Sequence, residues 1–220
     1  MFLGIFLCLA PFAKKLYTLV AAPLIQALPE GAGMIATDVT APFFVPFKVA
    51  MTAAFILALP HTLYQLWAFV APGLYQHEKK LALPLLVSSV FLFLIGMSFA
   101  YFLVFPTVFH FLSMMTPEGV SMATDIDKYF SFVLGTFLAF GLTFEVPVIV
   151  ILLHKTGIIS IEKLVQARPY VIVGAFAIAA VVTPPDILSQ ILLAIPLWIL
   201  YEAGVLICKI NKNTQDNKRN

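Results

Sequence analysis

The stretch YFSFVLGTFLAFGLTFEVPVIVILL, residues 129–153, is apolar almost throughout and is long enough for a helix to cross a lipid bilayer. Its only charged residue is Glu145. A carboxylate at bilayer depth costs roughly 2.5–3.5 kcal/mol on insertion scales, so its presence there needs a reason. Two interpretations are open. The side chain is either a protonated or hydrogen-bonded link between helices, or, as we favour, a docking point for a polar group inside the membrane.

The composition of the chain places it among membrane proteins. Of its 220 residues, 61% are hydrophobic and 11% are charged, and its mean hydropathy is +1.00, well outside the range of soluble domains. The net charge of +2 and the lack of a basic run with interleaved aromatic residues argue against nucleic-acid binding. Cys8 and Cys208 lack the spacing of a metal site, so we interpret both as packing residues.

The distribution of apolar segments predicts an all-α protein with six transmembrane helices. The predicted spans are residues 2–22, 47–70, 82–112, 129–153, 170–183 and 189–207. Residues 1–208 then form a single transmembrane domain, and residues 209–220 form a polar tail. The last two spans are short, because about 14 residues at 1.5 Å each cover only about 21 Å of a hydrocarbon core about 30 Å thick. We expect the bilayer to thin beside them.

Positive charge predicts the orientation of the spans. Nine of the 13 basic residues lie in one set of connections and in the tail, namely Lys79, Lys80, Lys155, Lys163, Arg168, Lys209, Lys212, Lys218 and Arg219. The opposite set holds Lys14, Lys15, Lys48 and Lys128, all near span ends. Because basic residues concentrate on the cytoplasmic side, we predict that both termini are cytoplasmic.

The sequence offers no support for catalysis. It contains no His-Glu-x-x-His, no Gly-x-Ser-x-Gly and no phosphate-binding glycine loop, so we predict that the protein is not an enzyme.

Two connections hold residues with open interpretations. Glu78 lies in the cytoplasmic turn Tyr75–Lys80, where it either pairs with its lysine neighbours or receives a guanidinium from a ligand. In the outer turn between the last two spans, Pro184 and Pro185 supply rigidity, and Asp186 is expected to cap the next helix.

Several ordered motifs resemble the TatC family, the receptor subunit of the twin-arginine translocase. The matching stretches are Pro42-Phe43-Phe44, residues 64–75 with His77-Glu78-Lys79, Phe99-Ala100-Tyr101-Phe102, residues 140–147, Arg168-Pro169-Tyr170, Thr183-Pro184-Pro185-Asp186, Ser189-Gln190 and residues 193–196. They cover nearly the whole chain, so the resemblance is specific.

The resemblance implies a multi-pass protein of the bacterial cytoplasmic membrane with a concave, glove-like bundle and no cofactor or metal. It would bind the twin-arginine signal peptides of folded cargo and work with TatA- and TatB-type single-span partners. Self-association in a receptor complex, contact with lipid and use of the proton-motive force are implied as well. By resemblance, Glu78 would hold the signal-peptide arginines, Phe69 would assist recognition, and Glu145 would meet a polar group of a partner helix or inserted signal.

The chain departs from the family pattern at its beginning. The family carries a His-Leu-x-Glu-Leu-Arg segment before the first span, and nothing here matches it, so we expect a chain of this sequence to bind signal peptides weakly. Two other classes of function stay open from the residues alone. One is a proton-coupled transporter using Glu145, although no internal repeat is visible. The other is a purely structural subunit, in which Glu145 and Glu78 would tolerate neutral replacement.

Overall fold

The structure is a computed structural model, and it describes residues 1–27, 34–70, 82–115, 124–182 and 187–216. In these residues, apolar α-helices account for nearly all of the chain. They are α1 (Phe2–Leu9), α2 (Ala13–Ala27), α3 (Ala41–Val70), α4 (Ala82–Phe99), α5 (Phe105–Met114), α6 (Ile126–Phe144), α7 (Val146–Lys155), α8 (Ile161–Gln166), α9 (Arg168–Val182) and α10 (Ile187–Asp216). A 3₁₀ turn, Ala10–Phe12, joins α1 to α2, and a π turn, Ala100–Val104, joins α4 to α5.

The helices agree with the predicted polytopic membrane fold. Five stretches of the described chain are long and apolar enough to cross a bilayer, namely Phe2–Pro23, Ala41–Gln65, Leu83–Met114, Ile126–Lys155 and Ile187–Ile210. A sixth, Arg168–Val181, is apolar but shorter. We number these segments as spans one to six in chain order, with Arg168–Val181 as the fifth.

The last span is longer than the sequence predicted. The fifth span is short, since α9 has 15 residues, but α10 has 30 residues and its apolar part, Ile187–Ile210, has 24. Of the two spans expected to be short, only the fifth is therefore short. Lys209 does not end α10, because a lysine near a span end extends its charged group toward water without breaking the helix. Residues 209–216 of the predicted tail consequently continue α10.

The second span begins earlier than predicted. We placed its start at residue 47, whereas α3 begins at Ala41 and includes Pro46. The Asp38 carboxylate accepts hydrogen bonds from the Thr40 amide and hydroxyl, at 2.9 and 3.0 Å, just before the helix. Pro42 follows in the first turn, where a missing N–H costs no helix hydrogen bond. Prolines near a helix start thus permitted a helix where we had predicted a connection.

Contacts divide the chain into two compact units, and the prediction of one transmembrane domain stays a prediction. The first unit comprises residues 1–61 and 98–138. Its core is aromatic: the ring of Phe105 lies 5.1 Å from that of Phe137, and the ring of Phe109 lies 5.4 Å from that of Tyr129. These residues are buried, and rings at such separations pack edge to face or at a tilt.

The outer connections of the first unit meet at Asp125. Strand β1 (Met34–Ile35) pairs in parallel with β2 (Thr124–Asp125). The Asp125 carboxylate accepts hydrogen bonds from the Thr37 hydroxyl, from the Thr37 amide at 3.0 Å, and from the amides of Asp127 and Lys128 at 3.0 and 3.1 Å. These bonds, that of the Thr37 hydroxyl first, lower the pKa of Asp125 from 3.8 to about 2. Asp125 therefore caps α6 and ties it to the first outer connection.

The second unit comprises residues 62–97 and 139–220. In it, α10 packs against α9 and α7. Its buried apolar cluster is formed by Val150, Ile161, Leu164, Tyr201, Val205 and Cys208. The Tyr201 hydroxyl donates to the Leu164 carbonyl at 2.7 Å, which fastens the short helix α8 to α10.

Candidate functional site: a buried carboxyl group in the fourth span

Glu145 lies at a break in the fourth span. Helix α6 ends at Phe144 and α7 begins at Val146, whereas the sequence predicted one helix over 129–153. The signal for the break was Pro147, because a proline inside a helix removes the hydrogen bond to the carbonyl four residues earlier and crowds that carbonyl. Just before this proline, the Glu145 amide donates to the Leu142 carbonyl, three residues back and not four, at 3.1 Å. The helix therefore tightens at the carboxyl-bearing residue.

The Glu145 side chain is buried in the second unit. The residue is 7% exposed, and its Oε1 atom has no hydrogen-bond partner in the described part of the chain. The hydroxyl of Ser89, itself 2% exposed, hydrogen-bonds the carboxyl group from α4. One hydroxyl cannot satisfy a group with two oxygens, so part of the hydrogen-bonding capacity of Glu145 is unused.

Close helix packing brings Ser89 to this position. A Cβ atom at Gly96 would lie 2.5 Å from the Phe140 carbonyl oxygen, and one at Gly141 would lie 2.4 Å from Cζ of Phe93. Ser89, Phe93 and Gly96 are spaced by four and three residues, so they share one face of α4. Small residues at such contacts let helix backbones approach closely in membranes. Two glycines therefore set the spacing that puts a hydroxyl beside the carboxyl group.

Helix α10 packs against α7, close to the break. A Cβ atom at Gly204 would lie 3.0 Å from Cα of Pro147 and 3.1 Å from Cβ of Val150. A larger residue at this position of α10 would require its neighbours to move by a few tenths of an ångström. The irregular backbone around Pro147 is thus held between packed helices, as non-helical backbone at membrane depth must be.

No described cation neutralises Glu145. Ion pairs among the described residues include Lys48 with Asp127, at 3.2 Å, and Arg168 with Glu202. In the second pair, Nε and Nη2 of Arg168 lie 2.6 and 2.7 Å from the two carboxylate oxygens of Glu202. The Glu202 carboxylate is thus paired with a residue of the neighbouring span. The two glutamates of these spans differ in that only one is paired.

The other predicted site residues are placed only in part. Glu78, Pro184, Pro185 and Asp186 lie outside the described residues. Phe69 lies in the last turn of α3, near its predicted loop. The described residues contain no group of three or more His, Cys, Asp or Glu side chains that could hold a metal ion.

Ser89 is the site residue that sequence reasoning missed. Its signal was a hydroxyl in the middle of an apolar span, at Ser88-Ser89. A serine pair in a membrane helix is usually satisfied by the backbone of its own helix, as Ser88 is by the Leu85 carbonyl at 2.8 Å. The sequence cannot show that Ser89 faces another span.

Comparison with known proteins adds an independent line of evidence. Residues 1–196 match the family model for TatC, the Sec-independent protein translocase protein. The TatC protein of Escherichia coli K12 is 56% identical over 205 residues, which cover 93% of this chain and 80% of that protein. The TatC protein of Aquifex aeolicus is 40% identical over 201 residues, covering 90% and 83%.

Solved structures agree in fold as well as in sequence. A crystal structure of the twin-arginine translocase receptor TatC superposes with a TM-score of 0.83 at 39% identity, covering 95% of this chain and 92% of that one. A second crystal structure of the receptor, in DDM, gives a TM-score of 0.84 at 38% identity, covering 94% and 92%. The family is a transport component and not a catalyst, in agreement with the sequence prediction. The chain therefore belongs to the TatC family of twin-arginine translocase subunits, multi-pass proteins of the bacterial inner membrane.

Proposed function

We propose that this subunit is the signal-peptide receptor of its translocase. It binds twin-arginine signal peptides and, with TatA- and TatB-type partners, exports folded proteins at the expense of the proton-motive force. The observation that supports this most directly is the buried Glu145 carboxyl group, which retains an oxygen without a partner in the described chain. The two matching crystal structures are of twin-arginine translocase receptors, and this likeness supports the same assignment.

Recognition is proposed to begin on the cytoplasmic side, at Glu78. A carboxylate accepts two parallel hydrogen bonds from an arginine guanidinium, a geometry that lysine cannot reproduce. Phe69, at the end of the helix before the same connection, would provide an apolar contact. Since this site adjoins water, its binding energy should fall as ionic strength rises.

Glu145 is proposed to act in a later step, inside the membrane. An incoming helix that carries a hydroxyl, amide or ammonium group would donate a hydrogen bond to the unpartnered oxygen of Glu145. A hydrogen bond to a charged group is worth about 1.5–3 kcal/mol, and leaving the group unpaired costs a similar amount. The partner would thus gain the hydrogen bond that this chain leaves unmade. Salt should affect this step little, because the group is screened from water.

Photo-crosslinking tests the first step. A twin-arginine signal peptide carrying a photoreactive residue would be presented to the protein in native membranes, with the unchanged chain and the Glu78→Ala variant compared. We expect a crosslink in the loop that contains Glu78, lost both in the variant and with a Lys-Lys signal. Glu162→Ala is the matched control, because Glu162 is an exposed acidic residue of another predicted cytoplasmic connection. Equal crosslinking of Glu78→Ala and the unchanged chain would refute the assignment.

A second comparison tests the division of labour. Glu145→Ala should leave the signal-peptide crosslink in place while it impairs the recovery of single-span partners with the subunit or the export of cargo. If Glu145→Ala abolished the initial crosslink to the same extent as Glu78→Ala, the two glutamates would not act in separate steps.

A further inference from the structure

Helix α2 contains a backbone acceptor that its own helix cannot satisfy. Pro23 lies inside α2 and is buried, and it has no N–H to donate to the carbonyl of Leu19, four residues earlier. This position is at the end of the first span, Phe2–Pro23. A carbonyl left unpaired in an apolar environment is costly, and in membrane helices groups from neighbouring spans commonly take the place of the lost donor.

Two tyrosines of the first unit donate hydrogen bonds to backbone carbonyls at this point. The Tyr101 hydroxyl donates to the Leu19 carbonyl at 2.9 Å, and the Tyr129 hydroxyl donates to the next carbonyl, that of Val20, also at 2.9 Å. Tyr101 belongs to the third span and Tyr129 to the fourth. The freed carbonyl and its neighbour are therefore fastened to two different spans.

Tyr101 owes its position to a second irregularity. It lies in the π turn Ala100–Val104, in which the Phe105 amide donates to Ala100, five residues back. A π turn inserts an extra residue and changes the phase of the helix, and such turns occur often at functional positions. The Tyr101 ring is held by Phe137, whose ring lies 6.4 Å away and nearly parallel. The irregular turn of one span thus supplies the donor that a proline removes from another.

We propose that Tyr101 is a positioning residue for translocation, whose hydroxyl replaces the backbone donor missing at Pro23. With Tyr129 as a second anchor, it fixes the last turn of the first span, at Leu19 and Val20, against the third and fourth spans. This inference depends on the translocase assignment and not on the proposed signal-peptide site.

Restoring the backbone donor provides the test. Tyr101→Phe removes only the hydroxyl, and Pro23→Ala returns an N–H that can bond to Leu19 within the helix. We expect Tyr101→Phe alone to shift the unfolding equilibrium in mixed micelles by about fivefold, the effect of one hydrogen bond, and to lower export of a twin-arginine cargo. In the Pro23→Ala background, the same change should have little effect on either quantity.

Tyr129→Phe is the matched control, because its acceptor, Val20, is not the carbonyl freed by Pro23. Its cost should persist in the Pro23→Ala background. Equal costs of Tyr101→Phe in both backgrounds would overturn the proposal, as would normal export by Tyr101→Phe.

A spectroscopic measurement covers the case in which Pro23→Ala does not fold. The Leu19 carbonyl can be observed by NMR through ¹³C-carbonyl leucine combined with ¹⁵N-valine, which selects the four Leu-Val bonds of the chain, and the loss of one signal in Val20→Ala assigns Leu19. The Leu19 signal should move in Tyr101→Phe and stay in place in Tyr17→Phe, whose ring stacks on Phe130 at 4.6 Å. An unmoved Leu19 signal in Tyr101→Phe would refute the hydrogen bond.

Discussion

Asp125 directly precedes helix α6 and Glu145 directly follows it, yet the surroundings of their two carboxyl groups are opposite. Asp125, in the first unit, accepts hydrogen bonds from Thr37, Asp127 and Lys128 at the outer edge of the chain. Glu145, in the second unit, is buried and receives the Ser89 hydroxyl, while one oxygen has no described partner. A carboxylate surrounded by donors holds the fold together. A buried one that lacks donors is a cost to the fold, and such a cost is most readily explained by binding.

Replacing Glu145 should have the largest effect of the changes considered, and should affect export much more than stability. Glu145→Ala is expected to reduce export at least about tenfold, because it removes a hydrogen bond of about 1.5–3 kcal/mol to a partner. The free energy of unfolding in detergent should fall by no more than about 0.5–1.5 kcal/mol, since the lost Ser89 hydrogen bond is offset by the removal of a buried oxygen without a described partner. Export assays and unfolding by denaturing detergent measure the two quantities. A stability loss as large as the activity loss would make Glu145 a structural residue like Asp125.

Replacing Gly96, the glycine that lets α4 approach α6, should have the next largest effect. Gly96→Ala places a methyl group 2.5 Å from the Phe140 carbonyl oxygen, and this oxygen cannot easily move away because it belongs to the backbone of a helix. We expect a loss of about 1–3 kcal/mol in the free energy of unfolding, typical of an overpacked contact. Gly135→Ala is the control, because no atom lies within 4 Å of its added Cβ. If both changes had the same effect, close packing would not set the position of Ser89.

Much of this molecule was predictable from sequence, for reasons that the two carboxyl groups illustrate. Six spans follow from hydropathy because a membrane helix must be apolar along its length. Glu145 stands out because a charge interrupts such a segment. Asp125 does not, since an acidic residue before a helix is common, and its bond to Thr37 joins residues 88 positions apart. Ser89 and Tyr101 were missed for the same reason, because their partners lie on other spans.

The local errors also have physical causes. The start of α3 was placed too late, at residue 47, directly after a proline that helix α3 contains, Pro46. The break at Glu145 was missed because Pro147 lies within an otherwise uniform apolar run. In both places the effect of a proline depends on whether the carbonyl four residues earlier needs its N–H, which residue types alone do not show.

Acid should reveal the role of Asp125. Its pKa is lowered in the folded protein from 3.8 to about 2, so its contribution to stability is present above pH 3.8 and is lost as the pH falls toward 2. Asp125→Asn should therefore unfold more readily than the unchanged chain near neutral pH, and the difference should shrink in acid. Thermal unfolding of both proteins in detergent, from about pH 6 to about pH 2, measures this. A difference that is constant with pH would show that the charge is not what binds Thr37.

The smallest expected effect concerns Ser89, and it links the comparison back to Glu145. Ser89→Ala removes the described donor to the Glu145 carboxyl group and should cost about 0.5–1.5 kcal/mol in the free energy of unfolding. If the hydroxyl acts through Glu145, the cost should disappear in a Glu145→Ala background, and a double-mutant cycle in detergent measures that coupling. Ser88→Ala is the control, because Ser88 donates to its own helix at Leu85. Additive effects of Ser89→Ala and Glu145→Ala would mean that the two side chains do not interact, and Glu145 would then lack even the one donor that distinguishes it from a wholly unsatisfied group.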